Sequence, residues 1–293
     1  MKQRYLILTI AVVIALTTMA CELSGILVTQ QSNFDVRGSG NVVEETRPVS
    51  GVSGVDLATF GDVIIELGEK ESLRVEAEDN LMQYFETDVR AGTLLITTNP
   101  RSINLNPTKP VRFFLTVKGL DEIRVSGSGD IQTPDLESDQ FSVDINGSGD
   151  VNMGDLNADK MDISIGGSGD VRSDRVIVKS FQVKINGSGD TFLGGLSADD
   201  LSLDVSGSGS LSVDDGQVSR QDININGSGD YRADDLASKE VEVRIGGSGD
   251  VTVWVVDNLD VRIMGSGNVR YYGRPIVSTS GNGSGNLSSL GDK

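Results

Sequence analysis

Residues 127–170 read GSGDIQTPDLESDQFSVDINGSGDVNMGDLNADKMDISIGGSGD, so the tetrad Gly-Ser-Gly-Asp occurs three times in this stretch, at intervals of 20 residues. The same interval continues without a break to Gly247, and only the copy at Gly207 differs, because it ends in Ser210. A fixed period of this length is typical of repeat proteins, in which each unit stacks on its neighbours. The sequence therefore predicts a repeat architecture.

Each repeat carries an alternating apolar pattern in the residues before its tetrad. The apolar positions are Ile123 and Val125; Phe141, Val143 and Ile145; Met161, Ile163 and Ile165; Phe181, Val183 and Ile185; Leu201, Leu203 and Val205; Ile223 and Ile225; and Val241, Val243 and Ile245. The residues between them are polar or charged. Alternation with a period of two indicates a β-strand with one buried face.

Two further apolar positions recur after the tetrad. The first holds Ile131, Val151, Val171, Leu211 and Val251, with Thr191 and Tyr231 as exceptions, and the second holds Leu136, Leu156, Val176, Leu196, Leu236 and Val256. Each repeat therefore supplies two or three short strands separated by bends. We expect an all-β protein in which one repeat forms one coil of a parallel β-helix, a solenoid whose equivalent positions lie about 4.8 Å apart.

The two glycines of each tetrad fall where the alternation would point inward. Gly147 and Gly149, for example, continue the inward series of Val143 and Ile145. Glycine is required where the backbone adopts a positive φ, or where another part of the structure comes too close for a side chain. Both explanations place the glycines at a corner or a constriction of the coil.

The beginning of the chain resembles a bacterial export signal. Lys2 and Arg4 precede an uncharged, mostly apolar run from Tyr5 to Ala20, which is too short for an ordinary transmembrane helix of about 20 residues. Cys21, the only cysteine, stands where lipidation would occur, so we expect a membrane anchor through a lipid at Cys21. Ordinary signal cleavage and an uncleaved anchor are the alternatives.

The period also divides the chain. We expect a signal peptide over 1–21, a tether over 22–33, a less regular N-terminal β cap over 34–125, regular repeats over 126–250 and atypical end coils over 251–293. Terminal units of a solenoid are expected to differ from the rest, because they must cover its open ends.

Composition excludes several classes of function. The net charge is −18, with 43 acidic and 25 basic residues, so the surface would repel the phosphates of nucleic acids. The chain has no histidine, which removes the commonest general base and the Ser-His triad. A single cysteine allows neither an internal disulfide nor a cysteine-based metal site. We therefore expect neither nucleic-acid binding nor catalysis.

Beyond the tetrads, three segments resemble the head GIN domain family, described as auto-transporter adhesins of bacterial envelopes. These segments are the opening from Val49 to Asp62, the stretch Leu73–Leu81 and the strand Gly92–Ile96. The resemblance covers roughly residues 49–250. It implies an all-β, solenoid-like fold, a location in the cell envelope and an adhesive role.

The last residue of the tetrads forms a column of aspartates. Its members are Asp130, Asp150, Asp170, Asp190, Asp230 and Asp250. At a spacing of about 4.8 Å, adjacent carboxylates repel one another by roughly 0.9 kcal/mol even in water. We expect each carboxylate to accept hydrogen bonds from the backbone of its own turn. The alternative is Ca²⁺, which prefers carboxylate oxygens, and would be the only cofactor.

Two other sets of residues are candidates for a binding surface. Asn146, Asn186 and Asn226 stand before their tetrads and could form a hydrogen-bonded ladder or present a face to a glycan or a surface protein. Trp254, Tyr271 and Tyr272 cluster in the end coils, where they either close the core or form a contact site.

Three classes of function remain. The leading hypothesis is an exported, lipid-anchored, non-catalytic envelope protein that acts as an adhesin or structural module. The second is a β-helix enzyme that acts on polysaccharides through paired aspartates with Lys or Arg, although the six identical spacings leave no insertion for a cleft. The third is a scaffold that associates end to end through free strand edges.

Overall fold

The computed structural model describes residues 35–99 and 103–293 of the chain. Apart from one short helix, the elements in these ranges are β-strands, which confirms the predicted all-β class. The signal peptide, Cys21 and the tether lie outside the described residues, so their predictions are not tested. No helix in the described ranges is long and apolar enough to cross a membrane.

The N-terminal cap contains nine strands and one helix. These elements are β1 (Asp35–Arg37), β2 (Val42–Arg47), β3 (Gly54–Leu57), β4 (Asp62–Leu67), β5 (Ser72–Glu78), α1 (Asp79–Met82), β6 (Phe85–Arg90), β7 (Thr93–Thr98), β8 (Asn104–Asn106) and β9 (Arg112–Val117). β3 and β4 form the first coil, because they pair in parallel with the first two strands of the repeats.

The cap covers the outer edge of this first coil. Between β4 and the repeats the chain leaves the stack, and it places β7 on the free edge of β3 and β9 on the free edge of β4. β2, β5 and β9 pair antiparallel, as do β6 and β7. The rings of Phe60, Phe85 and Phe113 pack edge to face beneath them. This segment therefore closes one end of the hydrophobic core.

The repeats contribute thirteen strands. They are β10 (Glu122–Val125), β11 (Ile131–Thr133), β12 (Leu136–Ile145), β13 (Val151–Met153), β14 (Leu156–Ile165), β15 (Val171–Ser173), β16 (Val176–Ile177), β17 (Ser180–Ile185), β18 (Thr191–Leu193), β19 (Leu196–Val205), β20 (Leu211–Val213), β21 (Gly216–Ile225) and β22 (Tyr231–Ile245).

Each residue of a repeat pairs in parallel with the residue 20 positions later. Val143 pairs with Ile163, which in turn pairs with Val183, and the register continues through Leu203 and Ile223. Successive units therefore lie directly over one another, which confirms the predicted parallel solenoid. The stacked aliphatic columns fill its interior, and their members are buried.

Each coil bends three times. Ile131, Leu136 and Phe141 are all buried but are separated by five residues, an odd number that a flat strand would place on opposite faces. The chain must therefore turn between them, and the tetrad forms the third bend. β12 runs through one bend as a single ten-residue strand. Most coils thus contain one long and one short strand.

The C-terminal coils shorten from 20 to 18 residues. Their strands are β23 (Val251–Ile263), β24 (Val269–Tyr272), β25 (Ile276–Ser280) and β26 (Leu287–Gly291). The shortening begins where Ala233 pairs with Val253 but Ala237 pairs with Trp254, so residues 234–236 have no partner in the next coil. For this reason Val255 is buried and Val256 is 49% exposed. The prediction that Val256 points inward is wrong.

The last coil replaces apolar side chains with small polar ones. Thr279 stacks on Val261, and Ser289 stacks on Tyr271. All five residues of β25 are exposed. A polar outer layer of this kind lets the hydrophobic core end at solvent.

Candidate functional site

The glycines of the tetrads lie where the backbones of successive coils approach each other. A Cβ atom added to Gly147 would stand 1.9 Å from the carbonyl oxygen of Gly127, and one added to Gly167 would stand 1.9 Å from that of Gly147. None of the tetrad glycines in the repeats has a positive φ. Close approach is therefore the correct one of the two predicted explanations. The contact is with the preceding coil, along the axis of the solenoid.

The aspartate column forms a hydrogen-bonded ladder between coils. Oδ1 of Asp130 accepts the backbone N–H of Asp150 at 2.8 Å, and Oδ1 of Asp150 accepts that of Asp170 at 2.8 Å. The expectation that each carboxylate bonds to its own turn is wrong, because its donor belongs to the next coil. Further rungs use Asp170, Asp190, Ser210, Asp230, Asp250 and Asn268 as acceptors.

Arginines contact the other oxygen of several of these aspartates. Arg172 lies 2.7 Å from Asp170 and 3.5 Å from Asp150, so it bridges two coils. Arg232 and Arg270 pair in the same way with Asp230 and Asp250. Burial raises the pKa of Asp250, but hydrogen bonds from Asn268 and the charge of Arg270 outweigh burial and hold this pKa below its ordinary value. Hydrogen bonds and arginines thus offset the repulsion within the column.

Calcium binding by this column stays a prediction. Among the described residues, no group of three or more Asp, Glu or Cys side chains is placed to hold a metal ion. Calorimetric titration of Ca²⁺ into the purified protein is the measurement that checks this prediction.

The asparagines before the tetrads do not bond to one another. Asn146 donates to Asp144 of its own coil at 2.9 Å, and Asn226 donates to Asn224 of its own coil at 3.3 Å. All three asparagines, Asn186 included, are exposed. The hypothesis of an asparagine ladder is therefore wrong for these positions. Their role as a binding surface remains a prediction.

The three aromatic residues of the end coils have two different environments. Tyr271 pairs with Val253 and packs against the core, so it helps to close the solenoid. Trp254 and Tyr272 stand side by side in the next outward column, where both are half-buried. Nζ of Lys293 lies 5.9 Å from the ring centroid of Trp254 and 4.9 Å from that of Tyr272.

Two carboxylates complete this group. Asp235 forms an ion pair with Lys293, and Asp234 lies 4.0 Å from the same ammonium nitrogen. The sequence reasoning singled out the rings but missed Asp234, Asp235 and Lys293. The irregular register at residues 234–236 brings these carboxylates to the rings, and the sequence alone does not show it.

A second polar cluster, also missed, lies in the N-terminal cap around Glu78, which is fully buried. Oε1 of Glu78 accepts the backbone N–H of Gly40 at 2.5 Å and the hydroxyl of Thr108 at 2.6 Å. Oε2 accepts the backbone N–H groups of Thr108 at 2.7 Å and Lys109 at 3.4 Å. Burial raises the pKa of Glu78, but these hydrogen bonds outweigh it and hold the pKa below its ordinary value.

The neighbouring Asp79 holds the same loop. It accepts the hydroxyl of Ser39 at 2.5 Å and the side-chain amide of Asn41 at 2.9 Å. Hydrogen bonds from Asn41 and Ser39 lower the pKa of Asp79. The tetrad at residues 38–41 is therefore bound to the cap and does not stack on the repeats.

Two shallow grooves lie along one face of the solenoid and share the exposed side chain of Ile177. One has a volume of about 550 Å³ and reaches Leu67, and the other has a volume of about 410 Å³ and reaches Val256. Charged residues such as Asp155 and Lys239 line their edges. These grooves are open surfaces with apolar floors.

Several solved structures share this fold. A crystal structure of a "putative adhesin" from Parabacteroides distasonis ATCC 8503 has a TM-score of 0.69 and 23% identity, over 87% of this chain and 100% of that chain. A "putative adhesin" from Parabacteroides merdae ATCC 43184 has a TM-score of 0.62 and 20% identity, over 88% and 99% of the two chains. A "Putative lipid binding protein" from Parabacteroides distasonis ATCC 8503 has a TM-score of 0.59 and 26% identity, over 87% and 99%.

No curated protein matches the chain. The sequence does match a protein family described as "Putative auto-transporter adhesin, head GIN domain", over residues 53–214 and, in an overlapping second match, over residues 162–275. Together these matches cover most of the chain, from the first coil to the atypical end coils. Adhesins act at the cell surface, which agrees with an exported, surface-exposed protein. With its stacked coils, tetrad columns and N-terminal cap, the chain belongs to this head GIN domain family.

Proposed function

We propose that this protein is a lipid-anchored, non-catalytic adhesin of the bacterial cell envelope. The observation that carries the proposal is the unbroken stack of coils, whose outer columns form a rigid, regularly spaced surface. Such a surface offers many equivalent contacts to one partner, and linked contacts raise the overall affinity beyond that of each contact. The family match supports the same role.

The lipid anchor is tested at Cys21. We expect the full-length protein, expressed in a bacterial host and labelled with an alkyne fatty acid, to incorporate the label and to fractionate with membranes. Cys21→Ser should lose both, because Cys21 is the only cysteine. Equal membrane association of the two proteins would contradict the anchor, and loss of export would indicate ordinary signal processing.

The adhesive role is tested with the mature chain lacking residues 1–21. We expect saturable binding to a subset of an array of glycans and host matrix proteins, and loss of binding when the chain is heat-unfolded. An array without any ligand above the unfolded control would count against an adhesin.

The absence of catalysis is part of the proposal. One oxygen of each aspartate in the column from Asp130 to Asp250 already accepts a backbone hydrogen bond, so these carboxylates act as structural acceptors. Incubation with a panel of polysaccharides should therefore release no new reducing ends and no unsaturated products. Product formation that depends on the folded chain would favour the enzyme alternative.

End-to-end association is a second candidate property. The last strands, β25 and β26, have one free edge each, and Ile276 is 78% exposed beside it. The polar side chains of Thr279 and Ser289 oppose association, because they already cover the core. Light scattering across a concentration series separates a monomer from a filament.

A further inference from the structure

The side chain of Lys293 is held in a site made of two rings and two carboxylates. Only 21% of this side chain is exposed, although it is a lysine on a surface coil. Its ammonium group lies over the faces of both aromatic rings and against both acids, in the group Trp254, Tyr272, Asp234 and Asp235. We call these four residues the ammonium cage.

The shortening of the coils builds the cage. Residues 234–236 have no partner in the next coil, so Asp234 and Asp235 project as a ledge beside the outward column of aromatic rings. Trp254 pairs with Tyr272 one coil further on, which places the two rings next to each other above that ledge. The regular repeats have no such ledge, because every residue there has a partner 20 positions later.

The segment that carries Lys293 is fixed independently of the cage. Gly291 has a φ of 98°, which turns the chain at the end of β26. Asp292 then forms an ion pair with Arg274, 2.7 Å from Nε. These contacts hold the backbone of Lys293 near the rings, so the side chain enters the cage from the same molecule.

A cage of this composition is selective for a cation. Aromatic faces attract an ammonium group within about 6 Å through their quadrupole, and a nearby carboxylate adds a charge-assisted hydrogen bond. The long aliphatic part of a lysine can lie along the rings while its head reaches the acids. The net charge of −18 also draws basic partners toward the protein.

We propose that the ammonium cage is a binding site for a lysine side chain of a partner protein, and that Lys293 occupies it in the unbound state. This inference rests on the proposed adhesive function, to which it adds the chemistry of the partner. A partner lysine enters when Lys293 leaves, so Lys293 acts as an internal competitor. The population of the vacant cage then sets the apparent affinity.

The single tryptophan makes the cage directly observable. Trp254 is the only tryptophan of the chain, so its fluorescence reports on this site alone. We expect Lys293→Ala to change the emission spectrum of the folded protein. Titration with Nα-acetyl-lysine amide should then produce a saturable change in this variant, and the same titration of the wild-type protein should require about tenfold more ligand.

Three controls decide the outcome. Nα-acetyl-norleucine amide has a similar aliphatic chain but no charge, and it should have no effect. The variant Lys293→Ala with Asp234→Asn and Asp235→Asn should keep its circular dichroism spectrum and its Tm but lose the response to lysine. A stronger response to choline or to phosphatidylethanolamine vesicles than to the lysine amide would overturn the assignment to a protein lysine. No saturable response in Lys293→Ala would overturn the site itself.

The proposed function fails separately from this site. Saturable lysine binding by a chain that adheres to nothing on the array would support the cage and remove the adhesive role. Adhesion that is unchanged when the cage is neutralised would support the adhesive role and overturn the cage as the place where a partner binds.

Discussion

At each tetrad two glycine hydrogens point at carbonyl oxygens of the coil below. An added methyl group would overlap the oxygen at 1.9 Å, and neither coil can move without breaking the hydrogen bonds between them. The requirement for glycine therefore comes from the distance between coils. It follows that even the smallest substitution should be harmful at these positions, although several of them are not fully buried.

Gly167→Ala tests this requirement. We expect it to lower the free energy of unfolding by about 1–3 kcal/mol, the usual effect of forcing an extra methyl group into a packed position. Gly119→Ala is the matched control, because an added Cβ there meets nothing within 4 Å. The control should change stability by less than about 0.5 kcal/mol. Equal denaturant midpoints for the two variants would show that the coils can separate at no cost.

Glu78 is the residue whose protonation matters most to the cap. Its pKa lies below the ordinary value in the folded protein, since four hydrogen-bond donors favour the charged form more than burial disfavours it. A carboxylate with a lowered folded pKa stabilises the protein above its unfolded pKa. This contribution is lost as the pH falls through the folded value.

Glu78→Gln should therefore lower the Tm by several degrees at pH 7, because the amide would present a donor where Gly40 and Thr108 also present donors. The difference from the wild-type protein should shrink as the pH falls below about 4.3, the ordinary pKa of glutamate. Thermal melts between pH 3 and pH 7 measure it, with the exposed Glu69→Gln as control. A difference that is constant with pH would assign the loss to packing.

At the scale of the coil, the fourth residue of the tetrad connects one rung to the next. The ladder needs an acceptor oxygen at this position, but it does not need a charge. Ser210 accepts the N–H of Asp230 at 3.0 Å, and Asn268 accepts that of Asn286 at 3.1 Å. This explains why the column tolerates both replacements without a break in the stack.

The pair Asp170→Ala and Asp170→Asn separates the two properties. Alanine leaves the N–H of Asp190 without its acceptor and should cost about 1 kcal/mol. Asparagine keeps the acceptor and loses only the exposed ion pair with Arg172, which is typically worth less than about 1 kcal/mol. Chemical denaturation of both variants measures the difference. A larger loss with asparagine would mean that the charge, and with it a bound cation, matters more than the hydrogen bond.

For the whole molecule, stability is a sum over coils and over the contacts between neighbouring coils. Because the register joins each residue to the one 20 positions later, one complete coil can be removed without changing which residues face inward. Removal of half a coil leaves a unit that cannot close. The effect of a deletion should therefore depend on its phase more than on its length.

Deletion of residues 146–165 should give a folded protein with a β-rich circular dichroism spectrum and a modestly lower Tm. Deletion of residues 146–155 removes half as many residues but also removes one tetrad and β13, and it should give a protein that aggregates or unfolds non-cooperatively. Circular dichroism and thermal unfolding of the two variants measure this. A ten-residue deletion as stable as the complete coil deletion would contradict stacking in register.

The sequence by itself determined the solenoid. The period of 20 residues, the alternation before each tetrad and the glycines are properties of single units, and identical units repeat identical contacts. Residues that break the period were the ones it misplaced, as with Val256, or left ambiguous, as with Tyr271. Their neighbours depend on how two coils of different length fit together.

Only the tertiary structure decided which polar groups meet. The bonds from each aspartate to the following coil, the clamp of Glu78 on residues 38–40 and the cage around Lys293 all join residues that are distant in sequence. No local pattern encodes such pairs, because hydrogen bonds and cation–π contacts depend on distances of a few ångström between atoms. Stacking fixes these distances once the chain has folded.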